Sequence, residues 1–156
     1  MSVPRTRIVV AVLLCGGLLG CGGSSKKADD ATATFKRDLV DTGTRSAPLG
    51  QLLLGTLRTA DRLSNQDVVA RFTGFSTQFA AVRDELAALS PPAAVSALYR
   101  AYLADFGAIS KDSLAVARGA RASDATAARA AEDRLLRDLR AANRDAVALK
   151  RKLGIK

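Results

Sequence analysis

One apolar stripe constrains this chain more than any other feature. Val68, Phe72, Phe75, Phe79, Val82, Leu86 and Leu89 recur at intervals of 4, 3, 4, 3, 4 and 3 residues. An α-helix turns once in about 3.6 residues, so this spacing puts every one of these side chains on a single face; a strand would throw them alternately to both sides. A face carrying three phenylalanines has to be buried, and the segment predicts a core helix over 65–89. Ser64, followed three residues later by the carboxylate of Asp67, resembles a capping box that opens it.

The same period runs through the rest of the chain, and no strand pattern competes with it. Phe35, Leu39, Thr42, Ser46, Leu49, Leu53, Thr56 and Leu63 mark a first helix over about 31–62, with a kink expected near Pro48. Ser90-Pro91-Pro92 is expected to turn the chain and start a third helix over 91–118, with Ser90 as cap and Pro91 in the first turn. Val95, Leu98, Tyr99, Tyr102, Phe106, Ile109, Ser113 and Val116 are its core positions, and Gly119 is the expected stop. Ser123-Asp124 caps a fourth helix over 123–152, buried through Ala128, Ala131, Leu135, Leu139, Ala142, Ala146, Leu149 and Leu153 and ending near Gly154. Four amphipathic helices joined by short connections predict an all-α protein, an up-down-up-down four-helix bundle over 31–156.

The N-terminus has a different character. Arg5 and Arg7 precede a twelve-residue stretch of apolar residues and glycine, Ile8 to Leu19. That is long enough for the hydrophobic part of a signal peptide and short of the ~20 residues a membrane-spanning helix needs. It closes on Leu18-Leu19-Gly20-Cys21, an aliphatic residue, two tolerant or small positions and a cysteine. This arrangement resembles the lipobox of bacterial lipoproteins. The layout as a whole resembles small uncharacterised helical-bundle lipoproteins of the actinobacterial type, although the specific part of that likeness covers only residues 5–25. The bundle half shares layout alone, with no functional residue to carry across.

The resemblance implies cleavage between Gly20 and Cys21, which removes residues 1–20 as a signal peptide, and acylation of Cys21 with diacylglycerol and palmitate-type chains. Cys15 fits less well, because Leu14 stands before it where the pattern wants a small residue. Two acyl chains bury enough methylenes for stable attachment. The expected location is therefore the cell membrane, lipid-anchored on its extracytoplasmic face. Residues 21–30 read as the lipidated cysteine and a flexible Gly/Ser/Lys/Asp tether reaching about 15–18 Å.

Composition removes several chemistries. The chain has no histidine and no tryptophan, and its two cysteines are Cys15 in the signal segment and Cys21 at the lipobox. A Cys/His zinc site, a Ser-His-Asp triad and a thiol nucleophile are thereby excluded from the bundle. Within residues 31–156 serine-hydrolase and phosphate-loop spacings are absent too, and neither a catalytic set, a metal site nor a cofactor is expected. The one cluster that could converge on chemistry is Tyr99 and Tyr102 with Asp105 and Asp112, one heptad apart. The plainer expectation is that these carboxylates lie in a solvated rim and the tyrosine hydroxyls point outward.

Charge is uneven. The net charge is +9, and residues 118–156 hold eleven basic and five acidic side chains. Arg129, Arg137, Arg140, Arg144 and Arg151 fall on the outer side of the fourth helix, a basic face that is either simply solvated or binds anions such as phospholipid headgroups or an acidic wall polymer. Nucleic acid is not expected, since no aromatic residues interleave with the arginines for base stacking. The sequence thus predicts a membrane-anchored extracytoplasmic lipoprotein with a non-catalytic helical binding or structural domain and an unidentified protein partner. The alternative is an enzyme or small-ligand-binding bundle using Tyr102, Asp105 and Asp112.

Overall fold

The computed structural model describes the backbone of residues 24–155 and the side chains of residues 29–155. Among the described residues there are four α-helices and no strand: α1 Ser24–Thr59, α2 Asn65–Ala87, α3 Ser96–Arg121 and α4 Ala125–Leu153. A 3₁₀ turn, Ala60–Arg62, links α1 to α2, and another, Ala93–Val95, precedes α3. This is the all-α helical bundle that the periodicity predicts.

The helices alternate in direction, and contacts at both ends show it. At one end the ring of Phe35, near the start of α1, meets Tyr99, near the start of α3, edge-on at 5.2 Å. The Tyr99 hydroxyl there donates to the Leu86 carbonyl at the end of α2, at 2.6 Å. At the other end Asn65, opening α2, donates to the Ser123 hydroxyl just before α4, at 3.2 Å. Midway, the Ser110 hydroxyl of α3 donates to the Ser76 carbonyl of α2 at 2.8 Å.

The apolar stripes meet in one core. Val68, Phe72, Phe75, Phe79 and Leu86 are buried from α2, with Val82 and Leu89 partly buried beside them. Val95 and then Tyr99, Tyr102, Phe106, Ile109 and Val116 of α3 are buried, as are Ala131, Leu135, Ala142, Leu149 and Leu153 of α4. Stacks of edge-on and tilted rings run through this core, from Tyr99 through Tyr102 and Phe106 to Phe79. Backbones approach closely where α2 meets α3 and where α3 meets α4. By contrast, α1 stands further off and joins through long side chains, with Phe35, Leu39, Leu49 and Leu53 buried.

Caps account for the helix ends. The Ser64 hydroxyl accepts from the Asp67 amide at 3.1 Å and donates to the Asp67 carboxylate at 2.6 Å, so α2 starts where the capping pair places it. Asp124 caps α4 by accepting from the Ala127 amide at 2.9 Å. α4 closes on Gly154 in the left-handed region (φ 67°), where glycine has no Cβ to clash. The Gly154 amide donates to the Arg151 carbonyl and the Ile155 amide to the Lys150 carbonyl, which satisfies the last turn.

Several expectations need correction. The segment read as a tether is helical from Ser24 onward, leaving only Gly22 and Gly23 of the proposed linker ahead of α1. Extending an already nucleated helix adds one hydrogen bond per residue fixed, so a polar stretch can continue what its apolar neighbour starts. Pro48 lies inside α1, where one helix is expected to run through it, so the change is at the end, where the α-helix gives way to a 3₁₀ turn at Ala60. The third helix does not begin at Pro91. Pro91 precedes another proline, which disfavours the helical region for it, and Pro92 is itself extended (φ −56°, ψ 146°), so α3 starts at Ser96. Gly119 does not stop α3, which continues to Arg121. Ser123 is not the cap of α4; it makes the turn with φ 54° while Asp124 caps.

Candidate functional site

Two features stood out in the sequence as functional. The first, cleavage at Gly20 and acylation at Cys21, lies outside the described residues. The second, the basic stripe, lies among the described residues: Arg129, Arg137, Arg140, Arg144 and Arg151 are all exposed on α4. They are exposed because the opposite face of α4, which packs closely on α3, carries the buried Ala131, Leu135, Ala142 and Leu149. The stripe is not a free run of charge throughout, since Arg144 sits 3.8 Å from Asp145. At its end Lys150, Arg151 and Lys152 occupy the last turn of α4, where cations also offset the helix dipole.

Tyr102, Asp105 and Asp112 occupy places other than those expected. Tyr102 is buried in the ring stack between Tyr99 and Phe106. Burial pushes its hydroxyl up to about 12, with the Asp105 charge adding to the effect. Tyr99 is likewise pushed up to about 12, first by burial and then by Tyr102, and its hydroxyl is spent on the Leu86 carbonyl. The Tyr99 hydroxyl thus points inward, to α2, and not outward as the sequence predicts.

The carboxylates are not in a solvated rim either. Asp112 is 7% exposed and lies in the seam between α3 and α4, where Arg134 Nε donates to its Oδ1 at 3.1 Å. The Asp138 carboxyl of α4 faces the Asp112 side chain and, when protonated, can donate a hydrogen bond to it. The Asp138 carboxyl is pushed up to about 6, first by burial, then by that bond and by the charges of Asp112 and Asp105; Arg137 opposes the rise. Asp105 is half-buried one heptad earlier, raised by burial and by Asp145, with Oδ2 buried and unpaired among the described residues. The seam therefore holds Asp105, Asp112, Asp138 and Asp145, opposed by Arg134, Arg137 and Arg144. Among the described residues no group of three or more His, Cys, Asp or Glu is placed to hold a metal ion.

Asp138, Asp145 and Arg134 are the members that the sequence pattern does not single out. Each lies on α4 at a position flanking the apolar stripe. The only available signal was that Arg134 and Asp138 are four residues apart, on the side of the helix that α3 covers. What this arrangement does chemically is tie α3 to α4 through the Arg134–Asp112 pair and hold the Asp138 carboxyl above its ordinary range.

Comparison with protein-family models, with curated proteins and with solved structures found no match. No described helix is long and apolar enough to cross a membrane.

Proposed function

We propose that this protein is a membrane-anchored extracytoplasmic lipoprotein whose helical bundle is a non-catalytic binding or structural domain of the cell envelope. The observation that carries the reading is Leu18-Leu19-Gly20-Cys21, closing an apolar stretch behind Arg5 and Arg7. The start of α1 at Ser24 adds to it, because a lipid on Cys21 would then sit two glycines away from a rigid rod.

That closeness sets an orientation for the proposal. The end of the bundle where α1 starts is also the end where α4 finishes, since the helices alternate and α4 contacts the turn at Ala93–Val95. Lys150, Arg151 and Lys152 would face the headgroups. Arg129 lies 22 residues before Arg151 on α4, about 33 Å along the axis, far beyond a Debye length of ~8 Å. In this reading only the last turns of the basic stripe meet anionic phospholipid, each cation within range contributing about 1 kcal/mol, and the remainder faces the envelope space and its polymers.

The test is processing. Protein purified from membranes should begin at Cys21 and carry acyl mass there. Globomycin-type inhibition of the lipoprotein peptidase should leave the signal peptide attached, and Cys21→Ser should abolish acylation and move the protein out of the membrane fraction. A membrane-derived protein without acyl mass on Cys21 overturns the proposal.

A further inference from the structure

Like charges crowd the middle of the outer face of α4, where a helix that only meets water gains by alternating its signs. Arg140 has Arg137 on the turn before it and Arg144 on the turn after. Side chains three and four apart are neighbours on a helix, with Cβ atoms about 5–6 Å from one another, and like charges at that spacing destabilise it. The places four residues away that could hold a relieving carboxylate are taken by Asp133 and Ala141 beside Arg137, Leu136 beside Arg140, and Ala148 beside Arg144. One acid serves three arginines.

The remaining acids of this stretch are turned away. Asp138 is half-buried toward α3, and the Asp145 side chain is 19% exposed against 75% for Arg144, across a loose 3.8 Å pair. The side chains of Arg137 and Arg140 form no ion pair or hydrogen bond with any described residue. Three exposed guanidinium groups therefore share about 10 Å of helix with little to neutralise them. An anion laid along them would relieve the repulsion, and each guanidinium offers paired N–H donors to two oxygens of one phosphate or carboxylate.

Position and spacing narrow the anion. Arg144 lies nine residues before Leu153, about 13 Å from the end of α4 and beyond a Debye length of ~8 Å, so in the orientation proposed above the headgroups do not reach it. Cations about 4.5 and 6 Å apart along the axis, and staggered by about 60° around it, call for repeated charges on a chain that can bend between them. A phosphodiester-linked chain turns freely about its ester bonds, whereas a uronic-acid chain carries its carboxylates on stiff sugar rings. α4 has no aromatic side chain on which nucleic-acid bases could stack. We infer that Arg137, Arg140 and Arg144 bind a flexible linear polymer of phosphodiester-linked units, one phosphate to each arginine. The proposed envelope location determines where such a polymer is met; the site itself consists of bundle residues alone.

The test uses full-length protein purified from membranes and placed in neutral phosphatidylcholine vesicles, with a glycerol-phosphate polymer as probe and affinity measured across a salt series. Parallel arms use a polyuronate and a single-stranded oligonucleotide of the same charge. Three neutralised phosphates predict a log–log salt slope of about −2, roughly a twentyfold loss of affinity between about 50 and 200 mM salt. Arg137→Gln, Arg140→Gln and Arg144→Gln together should abolish the salt-sensitive binding. Glutamine favours helix about as well as arginine and removes the repulsion, so the fold should be kept. Arg100→Gln, Arg118→Gln and Arg121→Gln, which take the same charge from exposed positions of α3, should leave the slope unchanged. No binding at about 50 mM salt, an equal loss in both triple variants, or equal or tighter binding of the polyuronate or the oligonucleotide overturns the inference. Protein that binds the polymer yet carries no acyl mass on Cys21 would remove the anchor and leave this site standing; acylated protein that ignores the polymer would do the reverse.

Discussion

Glycine has opposite meanings at two positions of this bundle. A Cβ on Gly119 would lie 2.7 Å from the Ala128 amide nitrogen and 2.9 Å from its Cα, both backbone atoms that cannot swing aside. A Cβ on Gly55 would meet nothing within 4 Å. Gly119→Ala should therefore destabilise the protein by about 1–3 kcal/mol through overpacking, outweighing the ~1 kcal/mol that alanine gains in a helix. Gly55→Ala should stabilise it by about 0.5–1 kcal/mol. Urea midpoints of the two variants should move in opposite directions; a stabilising Gly119→Ala would mean that α3 and α4 do not cross so closely. In the sequence Gly119 is a glycine near a helix end, and its spacing predicts a stop. Its real constraint comes from Ala128, across a turn that local spacing does not fold.

At the scale of elements, the seam between α3 and α4 gives the protein a pH dependence. Asp138 has a folded-state value of about 6 against an ordinary 3.8, so the folded protein holds a proton that the unfolded chain has already released. Its contribution is most favourable below about pH 4 and is lost as pH rises through about 6. Asp138→Asn keeps a donor for Asp112 without the charge. It should flatten the fall between pH 4 and 6 and raise stability at pH 7 by on the order of 1 kcal/mol, solvent contact holding the figure below the full shift. A steeper fall in thermal melting with pH in the variant would contradict this. The apolar faces of all four helices were legible because a 3.6-residue repeat is written within each helix. Caps that depend on adjacent residues, Ser64 with Asp67 and Gly154 at the end of α4, were legible too. The Asp112–Arg134 pair and the Asp138 proton were not, since each needs the register of α4 against α3. The paired prolines are plain in the sequence, but Pro92 holds Pro91 out of the helical region and α3 starts only at Ser96.

For the whole molecule, stability is unevenly shared. The close backbone contacts lie among α2, α3 and α4, while α1 is held through Phe35, Leu39, Leu49 and Leu53 and leaves its seam with α4 open. Local opening follows contact density, so amides of α1 between residues 40 and 58 should exchange with deuterium faster than those of α3. Equal protection in the two helices would show that the bundle opens only as a unit. The standoff of α1 also bears on the order in which the chain is made. α1 is synthesised before the other helices, yet the groove that it lines with Leu54 and Leu57 is completed only by residues 136–143 of α4, so that flank waits bare while roughly the next eighty residues appear. The other three helices can pair in sequence, each with the one just completed. The oldest part of the chain is thus the last to find shelter, and a chaperone that holds unfolded segments would have its longest engagement with α1.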